Sequence, residues 1–98
     1  PEYNGSFPGV LKAFIDASDL AKCWHNKSAC LLGVAEGRAG NLKGMDHFTS
    51  ILNYIKINVL HMKIPISSVS TIISKDGQML NKEIASLIDE QIDLFKAF

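Results

Sequence analysis

The sequence predicts an α/β fold in which parallel strands alternate with helices that pack on both faces of one sheet. Three observations lead there. Helical and strand-like segments follow one another in the order helix, strand, helix, strand, helix, the pattern of right-handed parallel winding. Ala29–Ala35 is apolar throughout, interrupted only by Gly33, as in a strand buried on both faces of a covered parallel sheet. The opening residues, Pro1 to Phe7, are turn-rich and lead directly into a helical pattern, as a loop leaving a strand does.

The first helix is expected to start near Pro8, with Ser6 or Phe7 at its cap, since proline suits the first helical position. Val10, Leu11, Phe14 and Ile15 recur at helical spacing, and the helix is expected to fade between Leu20 and Trp24. His25–Ser28 reads as a turn, Ala29–Ala35 as a strand, and Glu36–Asn41 as a glycine-bearing loop. A second helix is expected from Leu42 to Lys56, with Met45, Phe48, Leu52 and Ile55 as its apolar face. Ile57–Pro65 reads as a second strand, with Leu60, Met62 and Ile64 on one side and Val59, His61 and Lys63 on the other. Its partial alternation places it nearer the sheet edge, and Pro65 is expected to limit its extension. Residues 66–75 have no clear period, and Asp76-Gly77 signals a turn. Asn81 is the expected N-cap of a final helix that runs to Lys96 and carries Ile84, Leu87, Ile88, Ile92 and Phe95.

Composition narrows the function. Ninety-eight residues allow at most one domain. Ten basic and ten acidic residues cancel, so there is no electrostatic footprint for nucleic acid or for an anionic membrane. The longest apolar run is far short of the ~20 residues a bilayer span needs. Cys23 and Cys30 make no disulfide framework, and with His25 they match no standard zinc spacing. The simplest compartment is a reducing cytoplasm. His25, His47 and His61 fall on a turn, a helix and a strand, and structural or surface roles are expected for them. No serine sits in a nucleophile elbow.

The run Pro1-Glu2-Tyr3-Asn4-Gly5-Ser6-Phe7-Pro8-Gly9-Val10-Leu11-Lys12 resembles the NADPH-dependent FMN reductase family, in which the end of the third strand leads into a Pro-Glu-Tyr-Asn segment and then Pro-Gly-Val-Leu-Lys. The resemblance implies a flavodoxin-like three-layer fold with strand order 2-1-3-4-5. Residues 1–98 would be the C-terminal half of that domain, holding its fourth and fifth strands and last three helices and lacking the N-terminal phosphate-binding portion. It also implies FMN as cofactor and NAD(P)H as co-substrate. The intact parent would pass hydride from a nicotinamide to FMN and on to an acceptor, and the fragment alone would be inactive.

By the same resemblance, Pro1, Glu2, Tyr3 and Asn4 would line the flavin ring. Gly37 and Gly40 would let the next loop approach its pyrimidine side. Glu36 and Arg38 depart from the family there, standing in place of small residues; at that position Arg38 would lie near the N1–C2 edge and stabilise the reduced anion. From the residues alone, Pro1–Ser6 reads first as a turn that opens a helix, with Tyr3 an ordinary surface aromatic, and Arg38 as a solvated surface charge. No general acid or base is assigned, because the cofactor carries the chemistry. A sheet edge left bare beside Ala29–Ala35 would recruit another strand, so a homo-oligomer is expected. Two other functions stay open: a non-enzymatic α/β protein-interaction module, and a flavodoxin-type electron carrier.

Overall fold

A computed structural model describes residues 1–98. The chain forms helix α1 (Gly9–Ala17), short helix α2 (Leu20–Cys23), strands β1 (Ser28–Ala29) and β2 (Leu32–Val34), helix α3 (Leu42–Tyr54), strands β3 (Asn58–Val59) and β4 (Ile64–Ile66), short helix α4 (Val69–Ile72) and helix α5 (Lys82–Ala97). The strands pair in parallel, β1 with β3 and β2 with β4, in the registers Ser28↔Asn58 and Gly33↔Pro65. Alternating parallel strands and helices are thus present as the sequence predicts.

Each expected strand is broken in two, and a side chain occupies the break. The first ladder ends with Leu60 N–H donating to the Ala29 carbonyl. Beyond it, Gln91 of α5 donates from Nε2 to the carbonyls of Leu31 (2.8 Å) and Met62 (2.9 Å). An amide from the helix thus takes two carbonyls at the gap between the two ladders. Gln91 is buried for this reason, although an apolar residue would normally occupy that face of α5. Pro65 does not end its strand. It pairs inside β4, opposite Gly33, and a ring with no N–H is tolerated on an edge strand.

Side-chain parity sorts the core into two faces. Ile57 joins Ile15, Leu52 and Ile55 in one buried cluster, with Leu11, Trp24, Ala29, Leu31, Phe48 and Val59 packed against it. This is the face of α1 and α3. Leu60, Ile64 and Ile66, on the opposite parity, are also buried, and α5 packs on β4. The even burial expected for Ala29–Ala35 is not found: Leu32 is 42% exposed. In a parallel ladder both polar groups of a residue point one way and those of the next residue point the other. Ala35 N–H donates to the Ile66 carbonyl, so the backbone groups of Gly33 and Ala35 face β4 while those of Leu32 and Val34 face away from it. The outer edge of β2 is bare except where Glu2 N–H donates to the Val34 carbonyl at 2.9 Å.

Helix α1 starts one residue later than expected. Pro8 is extended (ψ 140°) and serves as N-cap. The helix at the end of the chain matches expectation, with Asn81 capping the Ile84 amide at 3.0 Å. Residues 66–80 resolve into α4 and a turn in which Ser74 N–H donates to the Gln78 carbonyl and Gly77 has φ +86°.

Candidate functional site

Pro1–Ser6 forms a tight hairpin rather than a simple turn into a helix. Tyr3 and Ser6 exchange both backbone hydrogen bonds (2.8 and 3.1 Å), and the two residues between them, Asn4 and Gly5, have φ of +50° and +87°. Asn-Gly is the preferred pair for such a two-residue turn, because both positions need positive φ. Gly5 N–H also donates to the Glu2 carboxylate at 3.1 Å. The foot of the hairpin is fixed to the carboxyl end of β2 through the Glu2–Val34 bond.

The loop after β2 reaches the same place. Glu2 and Gly5 line a cleft of about 150 Å³ together with Ala35, Gly37, Ala39, Gly40, Asn41, Leu42 and Lys43. The cleft lies outside the carboxyl end of the sheet, where open α/β folds bind ligands. It also receives the first turn of α3. Asn41 makes no side-chain cap, and the Lys43 and Gly44 amides find no acceptor in the chain. Free amides at a helix start carry partial positive charge and suit an acceptor-rich ligand edge.

The expected site residues separate on this geometry. Glu2, Gly37 and Gly40 line the cleft together. Pro1 lies in an adjoining apolar groove of about 430 Å³ with Phe7, Leu11, Leu31, Met45 and Phe48. Tyr3, Asn4 and Arg38 are exposed and line neither space. Lys43, which sequence reasoning missed, is the cation that lines the cleft. The signal that could have found it is its place in the first turn of a helix that follows a glycine loop.

Two residues of the glycine loop behave differently. Gly40 has φ +59°, and a Cβ there would stand 2.7 Å from the Pro65 carbonyl carbon and the Ile66 nitrogen. Glycine is needed because β4 passes so close. Gly37 is open, with nothing within 4 Å of the place a Cβ would take. Glu36 ties the loop to α4, accepting from the Ser70 amide at 2.7 Å and the Ser70 hydroxyl at 2.8 Å. No group of three or more His, Cys, Asp or Glu side chains is placed to hold a metal ion. No helix is long and apolar enough to cross a membrane.

Fold and cleft together define an α/β protein with its candidate ligand site at the carboxyl ends of parallel strands. The chain belongs to the NADPH-dependent FMN reductase family, whose model matches residues 1–71. Among curated proteins it is similar to an NAD(P)H-dependent FMN reductase of Pseudomonas aeruginosa, with 30% identity over 95 residues covering 94% of this chain and 51% of that protein. It is also similar to a 2-hydroxy-1,4-benzoquinone reductase of a Burkholderia species, with 24% identity over 102 residues covering all of this chain and 56% of that protein. A third relative is an NAD(P)H-dependent FMN reductase of Saccharomyces cerevisiae, 36% identical over 72 residues covering 70% of this chain and 36% of the yeast protein. The chain therefore spans about half the length, or less, of these relatives.

Membership makes FMN the group to test against the cleft, and two features fit it. The Asn41 Oδ1 is buried without a hydrogen-bond partner, and the free amide of Lys43, a residue that lines the cleft, suits the carbonyl edge of a flavin pyrimidine. The volume does not fit a whole cofactor. At about 150 Å³ the cleft lies below the roughly 300 Å³ at which small-molecule pockets begin.

Proposed function

We propose that this chain supplies one wall of the flavin site of an NAD(P)H-dependent FMN oxidoreductase. The observation that carries the reading is the cleft shared by the Glu2–Gly5 hairpin, the Gly37–Gly40 loop and the start of α3. FMN would supply hydride relay from a nicotinamide to an acceptor such as a quinone, azo compound, free flavin or metal oxyanion. The residues' part is to bind and orient. The hairpin offers a rigid edge held at Val34. Gly37 leaves room for close approach, and Lys43 provides a free amide donor and a positive charge where the pyrimidine edge would rest. Arg38, exposed and outside the cleft, fits a solvated charge better than a flavin ligand.

No phosphate-cradling loop of Walker or Rossmann spacing occurs in these residues. The chain is therefore expected to contact the ring and not the phosphate, to bind flavins weakly and to show no reductase turnover alone. Amide chemical shifts followed during titration with FMN and with lumiflavin, which has no phosphate, test this. Both ligands should shift the Gly5, Gly37, Gly40 and Lys43 amides with affinities equal within about threefold, a difference under about 0.7 kcal/mol. Shifts clustered elsewhere, or tight binding of FMN alone, would defeat the reading.

Self-association belongs to the same proposal. The bare outer edge of β2 and the exposed Leu32 beside it are apolar and unpaired, a surface that attracts another strand. The two cysteines are free, which suits a reducing cytoplasm. A protein-interaction module is the second reading, favoured by the outward face of α1, where Val10 and Phe14 are 76% and 63% exposed. Loss of binding to a partner on Phe14→Ser, with flavin-induced shifts absent throughout, would favour it.

A further inference from the structure

We infer that His47 is a positioning residue for the flavin wall: through Ser6 it latches the Tyr3–Ser6 hairpin onto α3. The inference rests on reading the cleft as a flavin site. The Ser6 hydroxyl and His47 Nδ1 are 2.7 Å apart, joining residues 41 positions distant in sequence. Phe7, next along the chain, packs its ring on both His47 and Phe48 at centroid separations of 5.0 Å. Gly44 lies one turn before His47 on the same face of α3. A Cβ at Gly44 would come within 3.0 Å of the Ser6 carbonyl carbon, so the hairpin backbone rests directly on the helix there. Gly44 and His47 together form a seat for Ser6.

The consequence is mechanical. The hairpin has two feet. One is held by the Glu2–Val34 bond to the sheet, and the other by the Ser6–His47 bond to α3. Glu2 and Gly5 line the cleft from one side while Lys43 and Gly37 line it from others. With only the first foot held, the hairpin can pivot about the sheet edge, and the two sides of the cleft lose their fixed separation. A binding site loses affinity when a wall must be ordered at the moment of binding. The hydroxyl both donates and accepts, so it can meet Nδ1 in either tautomer.

Three variants test the latch. His47→Phe keeps a ring against Phe7 and removes Nδ1. His47→Asn keeps a hydrogen-bonding atom at similar reach and removes the ring. Ser6→Ala removes the other partner. Two readouts are taken on each: hydrogen exchange of the Tyr3 and Ser6 amides, which needs no flavin, and FMN affinity from amide shifts. His47→Phe and Ser6→Ala should each speed exchange about tenfold and weaken FMN about tenfold, the size of one hydrogen bond. The double variant should be no worse than either single, and His47→Asn should stay within about threefold of the parent. Unchanged exchange in His47→Phe overturns the latch. Faster exchange with unchanged FMN affinity leaves a structural tie and overturns the positioning role. If the parent chain shows no FMN-dependent shifts at all, the flavin reading itself fails, and the exchange data still decide whether the latch exists.

Discussion

Asn41 sits where the backbone asks for a residue tolerant of positive φ, at +65°, and where its own side chain gains nothing. Its Oδ1 is buried and unpaired, which costs about 1–3 kcal/mol. Replacement by glycine removes that cost and fits the φ, at the expense of about 0.5–1 kcal/mol in backbone entropy. Asn41→Gly should therefore raise the urea midpoint, by about 1 kcal/mol of stability, and a lowered midpoint would show that the amide has a partner. Gly40 makes the opposite case. Gly40→Ala combines positive φ with a methyl 2.7 Å from the β4 backbone and should cost about 2–3 kcal/mol in the same measurement. The two changes stand side by side in one loop, and only local geometry separates their signs.

At the scale of the element, Gln91 fills the gap between the two ladders. Its amide takes the Leu31 and Met62 carbonyls at the point where both ladders break. Gln91→Leu has similar volume but leaves two partly buried acceptors without this partner, and thermal or urea unfolding should show a loss of about 1–3 kcal/mol. Nothing in the sequence announces this residue. The α5 pattern of Ile84, Ile88 and Phe95 is read correctly by period, yet a glutamine on the same face looks like a lapse in amphipathicity until its two carbonyls are seen. Helices are legible because period and caps are local: Asn81 caps as expected, and α3 starts at Leu42 as expected. Strand breaks are not, since the group that takes the carbonyls there lies 60 residues away from Leu31. The site divides likewise. Glu2, Gly37 and Gly40 are readable from loop position, and Lys43 from its place in the first turn after a glycine loop, whereas His47 enters only through the three-dimensional placement of α3.

For the molecule as a whole, the telling feature is what stays exposed. Leu32 lies beside a bare strand edge, and α5 leaves Leu87 and Leu94 partly exposed, with Phe98 open just beyond its end. With ten charges of each sign, little net repulsion opposes association. Sedimentation velocity should show the apparent mass rising with protein concentration. Leu32→Lys, which puts a charge on the edge, should shift the chain toward monomer, and a concentration-independent monomer in the parent would contradict the edge argument. The Pseudomonas and Burkholderia relatives are about twice as long, and a chain of that full length is where reductase turnover should be sought.

The parallel registers carry one more implication, for time rather than structure. Ser28 meets Asn58 and Leu32 meets Ile64, so no strand pair can zip from a neighbouring hairpin. Each must wait until α3 has turned the chain back on itself. Contacts so distant in sequence slow the search for the native state. In stopped-flow refolding, helical signal should therefore appear well before Trp24 fluorescence reaches its final value, because the cluster around Trp24 includes Val59 from the far side of that detour.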